Sequence, residues 1–183
     1  MARFAAVGAG RMGRGIAIAF AYAGHGVALI DLKPRPAADA ARLQAEAAAE
    51  IAQSLQGLAQ LGVLDAAQVA AIAARVQYVD AAGAAAALAR AELVFEGVPE
   101  TLAAKREALA LIGQHCSAQA IITSTTSSIA VSQLAPLVLH PERFLNIHWL
   151  NPAYIIPVVE LSTHAGTSPA VLARAKGLME GIG

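Results

Sequence analysis

The run Gly8-Ala9-Gly10-Arg11-Met12-Gly13 constrains this chain more than any other stretch. It follows a short apolar segment, Arg3–Val7. It opens a helical pattern from Met12 to Ala23, with Ile16, Ala19, Phe20 and Ala23 on one face. Gly24-His25-Gly26 stops that helix, and Val27–Ile30 reads as a second strand closed by Asp31, 18 residues past Gly13. A glycine turn between strand and helix, with an acid ending the next strand, has the spacing of a dinucleotide-binding unit. Gly8 permits the tight turn, Gly10 lets backbone approach a pyrophosphate, and Gly13 lets the helix pack on the strand. Arg11 and Met12 begin the helix, whose free N–H groups and partial positive charge favour phosphates. Asp31 suits a ribose 2′-hydroxyl and repels a 2′-phosphate, which favours NAD over NADP. Lys33 and Arg35 stand nearby, where either could reach a phosphate. The competing readings are a plain strand–turn–helix with packing glycines and a solvated acid at a strand end.

The order of elements after Asp31 fits the same architecture. Pro34 and Pro36 stiffen a loop, and an alanine-rich helix runs from Asp39 to Leu61. Asp65 can cap a helix to about Arg75. Val76–Val79 is a strand, Ala81–Ala89 a short helix and Leu93–Phe95 a strand. A helix from Pro99 to about Ile112, a buried strand Ala120–Ile122 and a short helix Ile129–Leu134 follow. Phe144–Leu150 and Val158–Leu161 are strands too close together for a parallel crossover, so they pair antiparallel. Ser168 to about Met179 is the last helix, with Pro169 in its first turn. Alternating strands and helices predict an α/β fold: a doubly wound, mostly parallel sheet with an antiparallel strand addition near the C-terminus.

Composition narrows the function classes. Thirteen basic residues balance 13 acidic ones, which gives no electrostatic footprint for nucleic acid or a membrane surface. Hydrophobic residues make up 57% and charged ones 14%, incompatible with disorder. Arg3, Arg11, Arg14 and the glycines interrupt any apolar span near the N-terminus, so neither a transmembrane helix nor a signal peptide is expected. A cytoplasmic location is the expectation. Cys116 is the single cysteine, so no internal disulfide or cysteine-based metal site forms, and it reads as a packed residue.

A second constellation lies in the last third. Thr123-Ser124-Thr125-Thr126-Ser127-Ser128 follows a strand's carboxyl end, where open α/β sheets bind ligands. A helix N-cap explains one of those hydroxyls. If the two closing strands pair around Tyr154, His148 falls opposite Glu160 and Asn151 opposite Pro157. A carboxylate beside an imidazole fixes its tautomer and stabilises the imidazolium, which suits a general base. A structural His–Glu pair at a sheet edge is the alternative. His25, His115, His140 and His164 sit near element ends and read as surface or capping residues.

Together GAGRMGRGIA, VFEGVPETLAAK, STTSSI, HWLNP and IPVVEL resemble the N-terminal, Rossmann-type domain of the 3-hydroxyacyl-CoA dehydrogenase family. HWLNPAYIIPVVEL is similar to the λ-crystallin and L-gulonate 3-dehydrogenase branch. The resemblance covers the whole chain and implies one NAD-binding domain over 1–183. It implies oxidation of a secondary alcohol, with hydride passing to NAD, and a place in fatty acid metabolism. It implies that His148 is the base, that Glu160 orients it and that Ser127 hydrogen-bonds the substrate oxygen and adjoins the cofactor. Asn151 would lie by the nicotinamide, Glu100 and Lys105 near the cofactor ribose, and Ser54 at the substrate. The implied partner is a 3-hydroxy acid or its CoA thioester, and the full-length enzyme is expected to be a homodimer. The family's helical C-terminal domain, with a further catalytic asparagine, has no counterpart in this sequence. Acyl-CoA members also carry a lysine that would fall near Leu61, and Arg42 is the only basic residue on that helix. A free hydroxy acid such as a sugar acid is therefore a second substrate reading. An isolated NAD-binding module without turnover is a third. The 3-hydroxyisobutyrate and 6-phosphogluconate dehydrogenases share an early G-x-G-x-M-G loop. Their glycine-rich approach to a catalytic lysine is not matched by Ala165–Lys176, which contains only Gly166.

Overall fold

Strands buried on both faces need apolar residues at every position rather than at alternate ones. That is the pattern of β1 (Phe4–Val7) and β2 (Val27–Ile30), and of β4 (Leu93–Glu96) and β5 (Ile121–Ser124) until Glu96, Thr123 and Ser124 at their carboxyl ends; all four are fully buried. The computed structural model describes residues 2–182, so Met1 and Gly183, the ends of the expected 1–183 domain, lie outside the described residues. β3 (Val76–Val79), β6 (Phe144–Trp149) and β7 (Val159–Ser162) complete a seven-stranded sheet among the described residues, in the order β3-β2-β1-β4-β5-β6-β7. Six strands run parallel, and β7 is antiparallel to β6. The expected class is therefore the observed one.

The helices are α1 (Arg11–Tyr22), α2 (Ala37–Gln60), α3 (Val69–Ala73), α4 (Ala84–Arg90), α5 (Leu102–His115), α6 (Val131–Leu134) and α7 (Pro169–Glu180). Successive strand side chains point to opposite faces, which gives the sheet two cores. Phe4, Ala6, Leu29, Phe95, Ile147 and Trp149 pack with α1, α2 and α7. Ala5, Val7, Ile30, Val94, Ile122 and Phe144 pack with α4 and α5. The long α2 buries only Ala47, Ile51, Leu55 and Leu58, an apolar stripe one turn apart, and leaves most of its remaining surface to solvent.

Several boundaries differ from the sequence reading, each for a local reason. The helix expected from Pro99 begins at Leu102, because Thr101 supplies the cap: its Oγ1 accepts from Ala104 N at 3.3 Å. The segment after Asp65 splits into a 3-10 turn, Ala66–Gln68, and α3, with Asp65 and Gln68 forming a capping box. The helix expected over Ala81–Ala89 starts at Ala84, since Asp80 Oδ1 accepts from Gly83 N at 3.0 Å and holds a turn. The helix expected from Ile129 starts at Val131. β5 extends two residues past Ile122 because Thr123 and Ser124 pair with Phe95 and Glu96.

Phe20 of α1 ties the larger core together. It is fully buried, with ring centroids 4.5 Å from Phe4, 5.4 Å from Phe95 and 6.2 Å from Trp149. Truncating a buried aromatic removes its transfer energy and leaves a cavity. Phe20→Ala is expected to cost about 3–5 kcal/mol. Urea unfolding followed through Trp149, the single tryptophan, measures this and reports the altered ring environment in the same experiment.

Candidate active site

The glycine turn lies where the sheet order reverses direction, between β1 and β4. Ligands of open α/β sheets enter at such a crevice. The turn is closed by backbone contact. Gly8 has φ +100°, and a Cβ there would stand 2.7 Å from Gly97 O of the loop after β4. A Cβ on Gly13 would stand 2.0 Å from Gly8 O. Gly10 faces open space, with nothing within 4 Å of its Cβ position. It is the N-cap of α1, makes no side-chain cap bond, and the first turn holds no acid. An uncapped, acid-free helix start leaves its N–H groups for an anion. Asp31 follows β2 and faces the same end of the sheet. These residues fit a dinucleotide: room at Gly10, donors at the helix start and a carboxylate at ribose distance in the chain.

The second constellation assembles further along the same carboxyl edge of the sheet, at β5, β6 and β7. β6 and β7 pair with His148 directly opposite Glu160. His148 Nδ1 lies 2.8 Å from Glu160 Oε2, and Nε2 lies 3.1 Å from Ser127 Oγ in the loop after β5. With the proton on Nδ1 donated to Glu160, Nε2 accepts from the Ser127 hydroxyl. The ladder ends at Trp149 and Val159, so Asn151 and Pro157, expected opposite each other, lie beyond it. Asn151 instead lines a cavity of about 130 Å³ with Arg11, Arg14, Glu50 and Ser54. Ser54 of α2 is thus brought beside the start of α1 and Asn151, in a cavity that Ser127, His148 and Glu160 do not line. Met12 packs partly buried against the larger core, and Arg11 is exposed.

Glu100 and Lys105 occupy unequal positions. Lys105 is wholly buried on α5, with Nζ 2.9 Å from Glu96 Oε1 and 3.2 Å from Glu100 Oε2. Glu96 is itself fully buried at the end of β4 and accepts from Ser124 Oγ at 2.6 Å and Val98 N at 2.9 Å. Lys105 thus sits behind Glu100, and Glu100 faces the serine loop. Its Oε1 accepts from the Thr126 hydroxyl, from Ser127 N at 3.0 Å, and from Ser128 N and Oγ at 3.1 and 3.0 Å. Burial by itself pushes the Glu100 carboxyl up. The Thr126 hydroxyl, the Lys105 ammonium and the Ser128 amide outweigh it and bring the pKa down to about 2. Much of the serine run serves this clamp, and Thr126 Oγ1 also accepts from Ile129 N at 3.0 Å in the turn before α6, whose N-cap Ala130 has no side-chain cap bond, so the expected capping hydroxyl is not found there.

Sequence reasoning gave no role to Glu96, Ser124, Thr126 or Asn146. The signal for Glu96 was present: an acid ending a fully apolar strand needs a buried cation, and Lys105 is nine residues on. Asn146 shares the His148 face of β6, and its Nδ2 donates to Thr126 O at 3.1 Å. Nothing in its sequence context distinguishes it. Cys116 is packed as expected, with burial pushing its thiol up to about 12, far from a reactive thiolate. His164 Nε2 bonds Pro141 O in the turn before β6, and its Nδ1 accepts from Gly166 N in its own turn. His25 sits edge-on to Phe4.

A doubly wound sheet with an uncapped glycine turn at its reversal point is the architecture of a Rossmann-type dinucleotide-binding domain. The model of the 3-hydroxyacyl-CoA dehydrogenase NAD binding domain matches residues 3–183, and the chain belongs to that family of NAD-dependent oxidoreductases. It is 33% identical over 180 residues to 5-formyl-3-hydroxy-2-methylpyridine 4-carboxylate 5-dehydrogenase of Mesorhizobium japonicum, covering 98% of this chain and 54% of that protein. It is 34% identical over 181 residues to the lambda-crystallin homolog of Bos taurus, covering 98% and 53%. The structure of (S)-3-hydroxybutyryl-CoA dehydrogenase from Ralstonia eutropha superposes with a TM-score of 0.85 at 30% identity, covering all of this chain and 62% of the other. The chain spans about half the length of the curated relatives it matches. Among the described residues no helix is long and apolar enough to cross a membrane.

The Glu100 clamp makes a pH prediction. A carboxyl held ionised down to about pH 2 in the fold, against an ordinary 4.5, stabilises the fold fully above pH 4.5. That contribution falls away as pH drops from 4.5 towards 2. Glu100→Gln is expected to cost roughly 1–2 kcal/mol at pH 7, discounted for the partial exposure of the side chain. The difference from the native chain should shrink to near zero by pH 2. Urea midpoints at pH 7, 4 and 2.5 measure it, and a constant gap would show that Glu100 does not titrate as described.

Proposed function

We propose that residues 1–183 work as the NAD-binding domain of a dehydrogenase that oxidises the 3-hydroxyl of a 3-hydroxyacyl-CoA to the ketone. The observation that carries this reading is the bond chain from Ser127 Oγ through His148 to Glu160 Oε2, in a member of this family. His148 Nε2 takes the proton of the substrate hydroxyl. Glu160 holds the Nδ1 proton, so that Nε2 presents its lone pair, and steadies the imidazolium that forms. Ser127 hydrogen-bonds the substrate oxygen, and its backbone is fixed by Glu100. The bound cofactor would supply the hydride acceptor for the carbon that bears this hydroxyl. Gly8, Gly10 and Gly13 admit the pyrophosphate, Arg11 and Met12 lie at the helix start beside it, and Asp31 takes the adenosine ribose. Asn151 adjoins the nicotinamide. Glu100 faces its ribose, and Lys105 acts through Glu100.

A second substrate reading, a free hydroxy acid, has its own observation. α2 carries one cation, Arg42, and it is tied to Glu46 at 2.7 Å and Asp39 at 3.7 Å. Leu61, near where acyl-CoA members bring a lysine, is 75% exposed. A CoA 3′-phosphate finds little free positive charge there. The relatives include a pyridine carboxylate dehydrogenase, which supports a substrate that is an acid without CoA.

Two measurements test this in the intact protein. His148→Ala is expected to lower turnover by roughly 10²–10⁴-fold, the usual contribution of a general base, with NADH affinity changed only severalfold. Unchanged turnover would sink the mechanism. Comparing a 3-hydroxyacyl-CoA with its free acid decides the substrate: kcat/KM favours the thioester on the first reading and the acid on the second.

A further inference from the structure

We infer that Asn146 is a positioning residue for the proposed reaction, which holds the Ser127 hydroxyl on His148 by fixing the Thr126–Ser127 peptide. The inference rests on the Ser127–His148–Glu160 reading given above. The Thr126 carbonyl and the Ser127 N–H belong to one peptide group, and a peptide group is planar. Its oxygen accepts from Asn146 Nδ2 at 3.1 Å, and its N–H donates to Glu100 Oε1 at 3.0 Å. In this trans peptide the two groups point in opposite directions. The plane is thus gripped from both sides and does not turn about the chain. Ser127 Cα lies in that plane, so the grip sets where Cβ and Oγ go. Oγ is delivered to 3.1 Å from His148 Nε2.

One strand makes both contacts with the loop. Asn146 and His148 are two residues apart on the same face of β6, about 7 Å along the strand. Asn146 holds the loop by the Thr126 carbonyl, and His148 meets it at the next residue. β6 is itself fixed on both sides, with Asn146 opposite Ser124 of β5 and Ser162 of β7. Asn146 is buried, so its contact with the loop is shielded from competing water. The residue type also fits this task better than it fits packing. A carbonyl only accepts, so the group facing Thr126 O must donate, and the amide does so without charge. Its other atom, Oδ1, is buried with no partner among the described residues. Buried acceptors left unpaired destabilise a fold. Asn146 therefore satisfies one buried carbonyl and strands another. The fold gains no paired carbonyl from this exchange; it gains the direction of one peptide.

The test is a double-mutant cycle of Asn146→Leu and Ser127→Ala in the intact protein, read in two ways. Leucine has nearly the same size and removes the donor together with the stranded oxygen, so the fold should persist. The first readout is the nitrogen resonance of His148 Nε2 at a pH where the imidazole is neutral, which reports the Ser127 bond without turnover. Asn146→Leu should shift it towards its position in Ser127→Ala, and in the Ser127→Ala background it should cause no further shift. The second readout is kinetic. Asn146→Leu should lower kcat by roughly 10–100-fold, the scale of a misplaced catalytic group, with NADH affinity little changed and the loss absent in the Ser127→Ala background. A merely structural role would lower stability and leave both losses additive. If the leucine variant does not fold, Asn146→Ala takes its place in the same cycle. Three outcomes overturn the inference: an unmoved His148 resonance, an unchanged kcat in an active enzyme, or full additivity with Ser127→Ala. Failure of the native protein to oxidise either a 3-hydroxyacyl-CoA or its free acid would instead refute the proposed function, and the resonance cycle would still decide whether Asn146 places Ser127.

Discussion

A lysine ammonium cannot lose its water unless carboxylates replace it. Lys105 meets that condition through Glu96 and Glu100. The ends of β4 and β5 and the first turns of α5 are joined at this one cation, with Ser124 bonded to Glu96 as the link to β5. The same cation faces the back of Glu100, whose other oxygen gathers the Thr126–Ser128 loop. Ser127 therefore reaches His148 from a loop that is short, polar and held by charge, not by apolar packing. Breaking a buried pair by removing one partner costs far more than the pair contributes as a whole, so this arrangement tolerates change poorly.

The antiparallel turn of β7 does a different job. A parallel neighbour would have needed a helical crossover, and the residue facing His148 would then have come from a distant part of the chain. Hairpin-like pairing brings Glu160 back across β6 within 12 residues of His148. The alternation of β6 separates function from packing. Asn146 and His148 face the serine loop, while Ile147 and Trp149 enter the larger core with Phe20 and Phe95. The proposed base is thereby anchored through its neighbours on both sides in sequence.

Most of the fold was legible because its signals are local. Glycine punctuation, apolar runs and the acid after β2 locate the sheet strands and their order of appearance. The register of β6 on β7 followed from chain geometry, since a tight return admits few alignments, and it placed His148 against Glu160 correctly. What sequence could not supply was which polar residues support which others. Thr126 and Ser124 looked the same as their neighbours in a run of six hydroxyls, and only the strand ends decide that one serves Glu96 and the other Glu100. Lys105 was expected near the cofactor ribose, and its burial could not be foreseen because it depends on Glu96, nine positions away on another element. Helix starts were displaced for a related reason: Thr101 and Asp80 compete for backbone N–H groups through side-chain geometry that composition does not encode.

The two ends of the candidate site differ in how they handle charge. At the adenosine end the Asp31 carboxylate is already paired, with Arg35 Nε 2.6 Å from its Oδ2 and Lys33 N 3.1 Å from its Oδ1. At the other end Glu160 is 65% exposed while His148 is only 22% exposed. Water beside a carboxylate screens its hold on an imidazolium. The His148–Glu160 pair is thus geometrically complete but electrostatically dilute while that edge faces solvent. Any body that covers the β7 edge, whether substrate or protein, strengthens the coupling by excluding water, because the same charges interact more strongly at lower dielectric. The chemistry proposed for His148 is therefore coupled to closure over β7. A substrate whose own bulk shields Glu160 would gain in turnover as well as in affinity.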